Sequence, residues 1–146
     1  MRIITLNANG IRAAARKGFF QWLEQQSPDI VCIQETKAQE HQLTDVIFKP
    51  AGYHCFYADA VKKGYSGVAI YSKQKPDNVQ VGLGWEAADY EGRYIQADFG
   101  KLSVASLYLP SGTSKEERQT FKYEFLDFYL PKLKHQLTDN SREWVI

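Results

Sequence analysis

Three polar side chains follow two apolar runs that are typical of buried strands. Glu35 and Lys37 come directly after the run 30–34, and Asn7 follows the run 2–6. A carboxylate and a carboxamide both bind through oxygen, and Mg²⁺ usually takes one or two carboxylates, keeps several waters and binds substrate phosphate oxygens. Lys37 would supply a compact positive charge for a phosphate. If the two runs are neighbours, these residues predict a magnesium and phosphate site.

Each of these residues also has an ordinary structural interpretation. A glutamate after an apolar strand is commonly a solvated loop residue, and the stretch NANG alone predicts only a turn. Tyr65, on a Gly-flanked loop, and Tyr108, at the end of a strand, strengthen the case for a site. A phenol there can stack on a sugar or donate a hydrogen bond to a phosphoryl oxygen. With nine tyrosines in the chain, a half-buried strand residue is the alternative for both.

The opening of the chain predicts the unit that would bring the two runs together. A strand over 2–6 is followed by a helical pattern over 13–26, weakened by Gly18, and then by the strand 30–34. A strand–helix–strand crossover places its two strands parallel and in one sheet. The carboxyl ends of parallel strands meet at one edge, where ligands of open α/β sheets bind.

The remainder of the chain predicts more strands, then a helix. A short helical stretch over 42–48 precedes five apolar runs whose alternation predicts an antiparallel or mixed sheet. These runs are YHCFYA, SGVAIYS, VQVGL, RYIQADF and LSVASLYLP. A final helical region over 115–137 contains Pro131, which should kink or divide it, and another strand begins near Glu143.

Composition is that of an ordinary globular protein. Of the 146 residues 44% are hydrophobic and 24% charged, and 18 basic residues nearly balance 17 acidic ones, so any site for a polyanion must be local. Cys32 and Cys55 lie in apolar runs and are predicted to be reduced core thiols. Since the sequence has no run long enough to span a bilayer and no signal peptide, we expect a cytoplasmic location and no membrane partner. Nothing in the sequence argues against a monomer, which is the expected oligomeric state.

Five motifs, in order, resemble the exonuclease III family, the bacterial-type apurinic/apyrimidinic endonucleases of the endonuclease/exonuclease/phosphatase superfamily. The motifs are LNANGIR, IVCIQETK, GYSGVAIYS, EGRYIQADF and LYLPSG. QETK and GYSGVA are specific in combination, whereas NxNG or YxPxG alone would be weak. The resemblance covers essentially the whole chain. It implies an α/β fold, the four-layer sandwich of the deoxyribonuclease I-like type, with residues 1–146 as its N-terminal portion.

The resemblance also implies an activity and assigns residues to it. The activity is magnesium-dependent hydrolysis of DNA phosphodiesters, with manganese as the alternative ion. The substrates would be double-stranded DNA with abasic sites or with 3′ ends. Glu35 and Asn7 would form the metal site, and Tyr108 would lie close to the scissile phosphate. Residues expected along the DNA path are Lys37, Tyr65, Arg93, Arg12 and Ser111.

The family's GDxN motif and terminal DH pair are expected beyond Ile146. The resemblance therefore predicts a truncated domain with little activity alone, and a first sheet whose inner face lacks a partner. The catabolite repression control proteins, non-catalytic regulators acting at the RNA level, share NGIRAAARKGFF and LPSG and are the alternative. A lipid or inositol phosphodiesterase is a third hypothesis, disfavoured by GYSGVAI and Arg93.

Overall fold

The computed structural model describes residues 1–112 and 115–146. The strands and helices alternate at first, and the later strands follow one another closely. The strands are β1 (Ile3–Asn7), β2 (Ile30–Gln34), β3 (His54–Ala58), β4 (Val68–Ser72), β5 (Asn78–Val81), β6 (Tyr94–Phe99), β7 (Leu102–Leu107) and β8 (Glu143–Val145). The helices are α1 (Ile11–Arg16), α2 (Phe19–Gln26), α3 (Glu86–Asp89) and α4 (Glu116–Thr138), with 3₁₀ helices at Glu40–Gln42 and Val46–Phe48.

The first sheet has the order β1-β2-β4-β3. β1 and β2 are parallel, and their register sets Ile3 opposite Ile30 and Asn7 opposite Gln34. β4 runs antiparallel to both β2 and β3. The parallel pairing predicted from the crossover is therefore confirmed, and both strands end at the same edge of the sheet.

The second sheet has the order β5-β6-β7-β8 and covers the first one face to face. Side chains from both sheets share one core, which includes Cys32, Ile70, Ile95 and Val104. The expectation that the inner face of the first sheet lacks a partner is wrong. Four strands of the second sheet form within these residues. β5, β6 and β7 pair antiparallel with their chain neighbours, and β8 returns after α4 to pair parallel with β7.

Helices cover both outer faces. α1 and α2 pack on the first sheet through residues such as Ile11 and Leu23, and α4 packs on the second through Phe125 and Tyr129. The layers are thus helix, sheet, sheet and helix, as the four-layer sandwich requires. None of the helices in the described residues is long and apolar enough to cross a membrane.

Three expectations about helices need correction, and one further helix was missed. The helix expected over 13–26 is two helices, because Gly18 has a left-handed φ of 88° and ends α1. Of the two effects expected of Pro131, division of the helix is wrong, since α4 continues around this exposed residue. The stretch 42–48 forms 3₁₀ turns rather than an α-helix, and α3 was not predicted.

Candidate active site

The ends of β1 and β2 bring a carboxamide and a carboxylate into contact. Asn7 is the last residue of β1, and Glu35 follows the last residue of β2. The Asn7 Nδ2 donates a hydrogen bond of 2.8 Å to Glu35 Oε1. The Asn7 Oδ1 accepts a bond of 3.0 Å from the backbone N–H of Asn9, which fixes the amide within the turn. The side chains predicted to form the metal site therefore do lie together.

The second sheet contributes a third group to the same carboxylate. Tyr108, which follows β7, donates a hydrogen bond of 2.7 Å from its hydroxyl to Glu35 Oε1. Gln34, the last residue of β2, donates from its Nε2 to Ser106 Oγ on β7 at 3.1 Å. Polar bonds thus join the two sheets at the edge where the site lies.

The Glu35 carboxylate is held in its charged form. Burial raises its pKa, but hydrogen bonds from Asn7, Lys37 and Tyr108 outweigh burial and lower the pKa from 4.5 to about 2. Burial and the bond to Glu35 raise the pKa of the Tyr108 hydroxyl to about 12. At neutral pH the cluster therefore contains an anion and a neutral phenol donor.

Lys37 lies between this carboxylate and the β1 turn. Its Nζ is 2.9 Å from Glu35 Oε2 and 2.5 Å from Asn9 Oδ1, and 35% of its side chain is exposed. Asn9, Glu35 and Lys37 all have left-handed backbone conformations, with φ between 44° and 53°. Such conformations cost about 1–3 kcal/mol each in non-glycine residues and cluster at functional sites.

The GYSG loop holds the QETK loop in this conformation. The backbone N–H groups of Thr36 and Lys37 donate to the carbonyl oxygens of Gly67 and Ser66, at 3.0 and 2.8 Å. Gly67 has a φ of 85°, and a Cβ on it would lie 2.2 Å from Thr36 Oγ1. This close approach gives a physical reason why the two motifs occur together.

Tyr65 and Arg93 lie beside Tyr108. Arg93 donates to the Tyr108 carbonyl at 2.9 Å and to the Tyr65 hydroxyl at 3.1 Å, and its guanidinium lies 5.0 Å from the centre of the Tyr108 ring. Only 1% of Arg93 is exposed. The expectation that Arg93 contacts DNA directly is therefore corrected, because a side chain behind two tyrosines can support them but cannot reach a phosphate.

Arg12 and Ser111 are the remaining residues predicted along the DNA path. Arg12 is exposed on α1, and it pairs with no acidic side chain in the described part of the chain. Ser111 is exposed in the segment after Tyr108. Both remain predicted DNA contacts.

Two supporting residues were missed by the sequence interpretation. Glu91 accepts hydrogen bonds from Arg93 and Arg118, and Arg118 also donates to Tyr65. The pair Glu91–Arg93 in the motif EGR was a signal for a buried ion pair, since a fully buried arginine needs a partner. Nothing in the local pattern around Arg118 indicated its contact.

The donor set fits a hard cation that retains water or takes substrate oxygens. Among the described residues, no group of three or more His, Cys, Asp or Glu side chains could hold a metal ion. One carboxylate and one carboxamide are available instead, and Mg²⁺ commonly binds proteins through so few ligands. Lys37 forms a salt bridge with Glu35 Oε2, and the Asn7 side-chain N–H group donates to Glu35 Oε1. A cation that binds this carboxylate would compete with both contacts.

Comparisons with known proteins place this arrangement in a family. The Endonuclease/Exonuclease/phosphatase family model matches residues 4–137. The exodeoxyribonuclease of Bacillus subtilis is 41% identical over 126 residues, which cover 86% of this chain and 49% of the relative. Exodeoxyribonuclease III of Haemophilus influenzae is 33% identical over 141 residues, covering 90% of this chain and 52% of the relative.

A solved structure shows the same architecture. An AP endonuclease from Archaeoglobus fulgidus superposes with a TM-score of 0.80 at 32% identity, over 96% of this chain and 52% of that one. The chain thus spans about half the length of these relatives.

Proposed function

Since this chain belongs to the endonuclease/exonuclease/phosphatase family, we propose that the whole protein is a magnesium-dependent DNA-repair nuclease of the exonuclease III type. Its activities would be 3′-to-5′ exonuclease action and incision at abasic sites. The observation that carries the proposal is the Glu35 carboxylate, bonded by Asn7 from one strand tip and by Tyr108 from the opposite sheet. The relatives named as exodeoxyribonucleases support DNA as the substrate.

The proposed cation site consists of Glu35 and Asn7. Glu35 supplies the negative charge, since its pKa of about 2 keeps it ionised at neutral pH. A bound Mg²⁺ would offset the negative charge that builds on a phosphodiester during attack by water.

The groups around the carboxylate suit a phosphate. Lys37 carries a positive charge with 35% of its side chain exposed, and Tyr108 offers a neutral hydroxyl at neutral pH. Both donors lie on fixed backbone, so they can stabilise oxygens of the reacting phosphate with little rearrangement. DNA would be held through its backbone rather than through base edges, which suits recognition of a missing base.

Paired Glu→Gln substitutions in the whole protein test the proposal. The assay measures cleavage of a duplex with one abasic-site analogue, with Mg²⁺ or with EDTA. Glu35→Gln should lower the rate at least about a hundredfold, the effect of losing one strong electrostatic contact in an active site. Glu24→Gln, an exposed position on α2, is the matched control and should cleave normally.

Two outcomes would contradict the proposal. An unchanged rate in Glu35→Gln would remove the carboxylate from the site. Tight binding to single-stranded RNA without cleavage of DNA would favour the non-catalytic regulator. Residues 1–146 alone are expected to cleave slowly, so the cleavage assay must use the whole protein.

A further inference from the structure

Four side chains and one backbone carbonyl form a hydrogen-bonded network behind the candidate site. Glu91 Oε2 accepts from Arg93 Nε at 2.7 Å and from Arg118 Nη2 at 3.1 Å. Glu91 Oε1 accepts from Arg118 Nη1 at 2.8 Å, so that Arg118 binds the carboxylate through two nitrogens. The two guanidiniums then meet at the Tyr65 hydroxyl, and Arg93 also donates to the Tyr108 carbonyl.

Glu91 is the residue on which both arginines depend. The Arg93 side chain is 2% exposed, and a buried cation needs a carboxylate with good geometry. Burial raises the pKa of Glu91, but its bonds to Arg118 and Arg93 outweigh burial and lower it. Gly92 fixes the backbone beside it, since a Cβ there would lie 2.5 Å from the Ala58 carbonyl oxygen.

Hydrogen bonds from two arginines to the Tyr65 hydroxyl oxygen restrict the direction in which this hydroxyl can donate its own proton. A phenol oxygen accepts through lone pairs and donates a single O–H. Arg93 and Arg118 donate to this oxygen at 3.1 and 2.9 Å and occupy its accepting side. Charged donors polarise the hydroxyl, which strengthens its own donation. Its proton is therefore available to an acceptor outside the network, on the half-exposed side of Tyr65.

We propose that Glu91 and Arg118 are positioning residues that orient Tyr65 as a hydrogen-bond donor to a phosphate of bound DNA. The claim rests on the proposed function for the identity of the ligand. The orientation itself follows from the network alone. Neither residue contacts the Asn7–Glu35 pair, so their contribution is to the substrate's backbone and not to the cation.

The first experiment measures the Tyr65 hydroxyl directly in residues 1–146. Tyrosine labelled with ¹³C at Cζ reports hydrogen bonding at the hydroxyl, and Tyr65→Phe assigns the resonance. Arg118→Met should shift the Tyr65 resonance. Arg142→Met is the matched control and should leave the Tyr65 resonance unchanged. The Arg142 side chain is 30% exposed, against 29% for Arg118, but Arg142 pairs with Asp98 instead of Glu91. An unmoved Tyr65 resonance in Arg118→Met would overturn the proposal.

In the second experiment, electrostatics and positioning predict opposite changes in DNA affinity for Glu91→Gln. Glu91→Gln removes a negative charge, so electrostatics alone predicts equal or tighter binding of DNA. Positioning predicts the reverse, about tenfold weaker binding of a duplex with an abasic-site analogue, which is the loss of one charge-assisted hydrogen bond. The exposed Glu86→Gln is the control and should bind equally or more tightly. Fluorescence anisotropy at low salt gives the dissociation constants.

A double substitution separates positioning from simple stabilisation. In a Tyr65→Phe background, Glu91→Gln should weaken binding no further, because the hydroxyl that it orients is absent. A full tenfold loss in that background would overturn the proposal. If Glu91→Gln does not fold, Arg118→Lys replaces it, since lysine keeps the charge and loses the two-nitrogen fork. The binding measurements use the whole protein. Failure of the unsubstituted whole protein to bind any duplex would overturn the proposed function and the phosphate role, while the ¹³C shifts would still test the hydrogen-bonded network.

Discussion

Replacement of Gly67 by alanine tests how the two loops of the site hold each other. Gly67 has a φ of 85°, and its added Cβ would lie 2.2 Å from Thr36 Oγ1. A non-glycine residue in this left-handed region costs about 1–2 kcal/mol. Overpacking against the fully buried Thr36 adds about 1–3 kcal/mol. Gly67→Ala should therefore lower the free energy of unfolding by about 2–5 kcal/mol.

Gly64 provides the matched control in the same loop. Its φ is 71°, but nothing lies within 4 Å of an added Cβ. Gly64→Ala should thus cost only the conformational part, about 1–2 kcal/mol. The effect of the methyl group on the unfolded chain is the same in both variants and cancels in the comparison.

Removal of the clashing atom should rescue Gly67→Ala. Thr36→Ala takes away Oγ1, and the remaining Thr36 Cβ is 3.6 Å from the new methyl group, an ordinary contact. In a double-mutant cycle the coupling should be about 1–3 kcal/mol in favour of the double variant. Urea unfolding followed by tryptophan fluorescence gives all four free energies. Equal costs for Gly67→Ala and Gly64→Ala, or no rescue by Thr36→Ala, would refute the packing argument.

Three further predictions concern the titrating groups. Because folding lowers the pKa of Glu35 from 4.5 to about 2, its stabilising contribution is present above about pH 4.5 and is lost as the pH falls toward 2. In Glu35→Gln, the free energy of unfolding should therefore change less with pH between about 4.5 and 2. The same pH dependence in both proteins would contradict this prediction. Tyr108→Phe should raise the pKa of Glu35 in an NMR titration, since it removes the 2.7 Å bond, and a constant pKa would oppose that assignment. Burial raises the pKa of the Cys32 thiol to about 12, and only 4% of the residue is exposed, so Cys32 should not react with a disulfide reagent until urea is added. Rapid labelling of Cys32 in the native chain would contradict this prediction.

The position of the site could be predicted from the sequence because it depends on short-range rules. The run 30–34 forms β2 and is buried, and the strand–helix–strand order fixes its parallel partner. Asn7 and Glu35 must then emerge at the same edge. Tyr108 could be placed there only by resemblance, since its contact with Glu35 joins residues 73 apart and depends on how the two sheets pack.

Only part of the supporting network had a local signal in the sequence. Arg93 was expected along the DNA path from the family resemblance, and the glutamate two residues before it was the local sign that it could be buried. Its partner Glu91 lies two residues away, but the second arginine of the network comes from α4, 27 residues after Glu91. The coverage of the first sheet's inner face was also missed, because it requires knowing that β5 to β8 form a separate sheet rather than extending the first.

The proposed nuclease site requires Glu35 and Asn7 to hold a divalent cation at the tips of β1 and β2. Titration of residues 1–146 with Mg²⁺, followed through the side-chain ¹⁵N–¹H signals of Asn7, measures this binding. We expect a saturable shift of these signals that disappears in Glu35→Gln and persists in Glu24→Gln. Asn7 signals that do not respond to Mg²⁺, or that respond equally in Glu35→Gln, would contradict it.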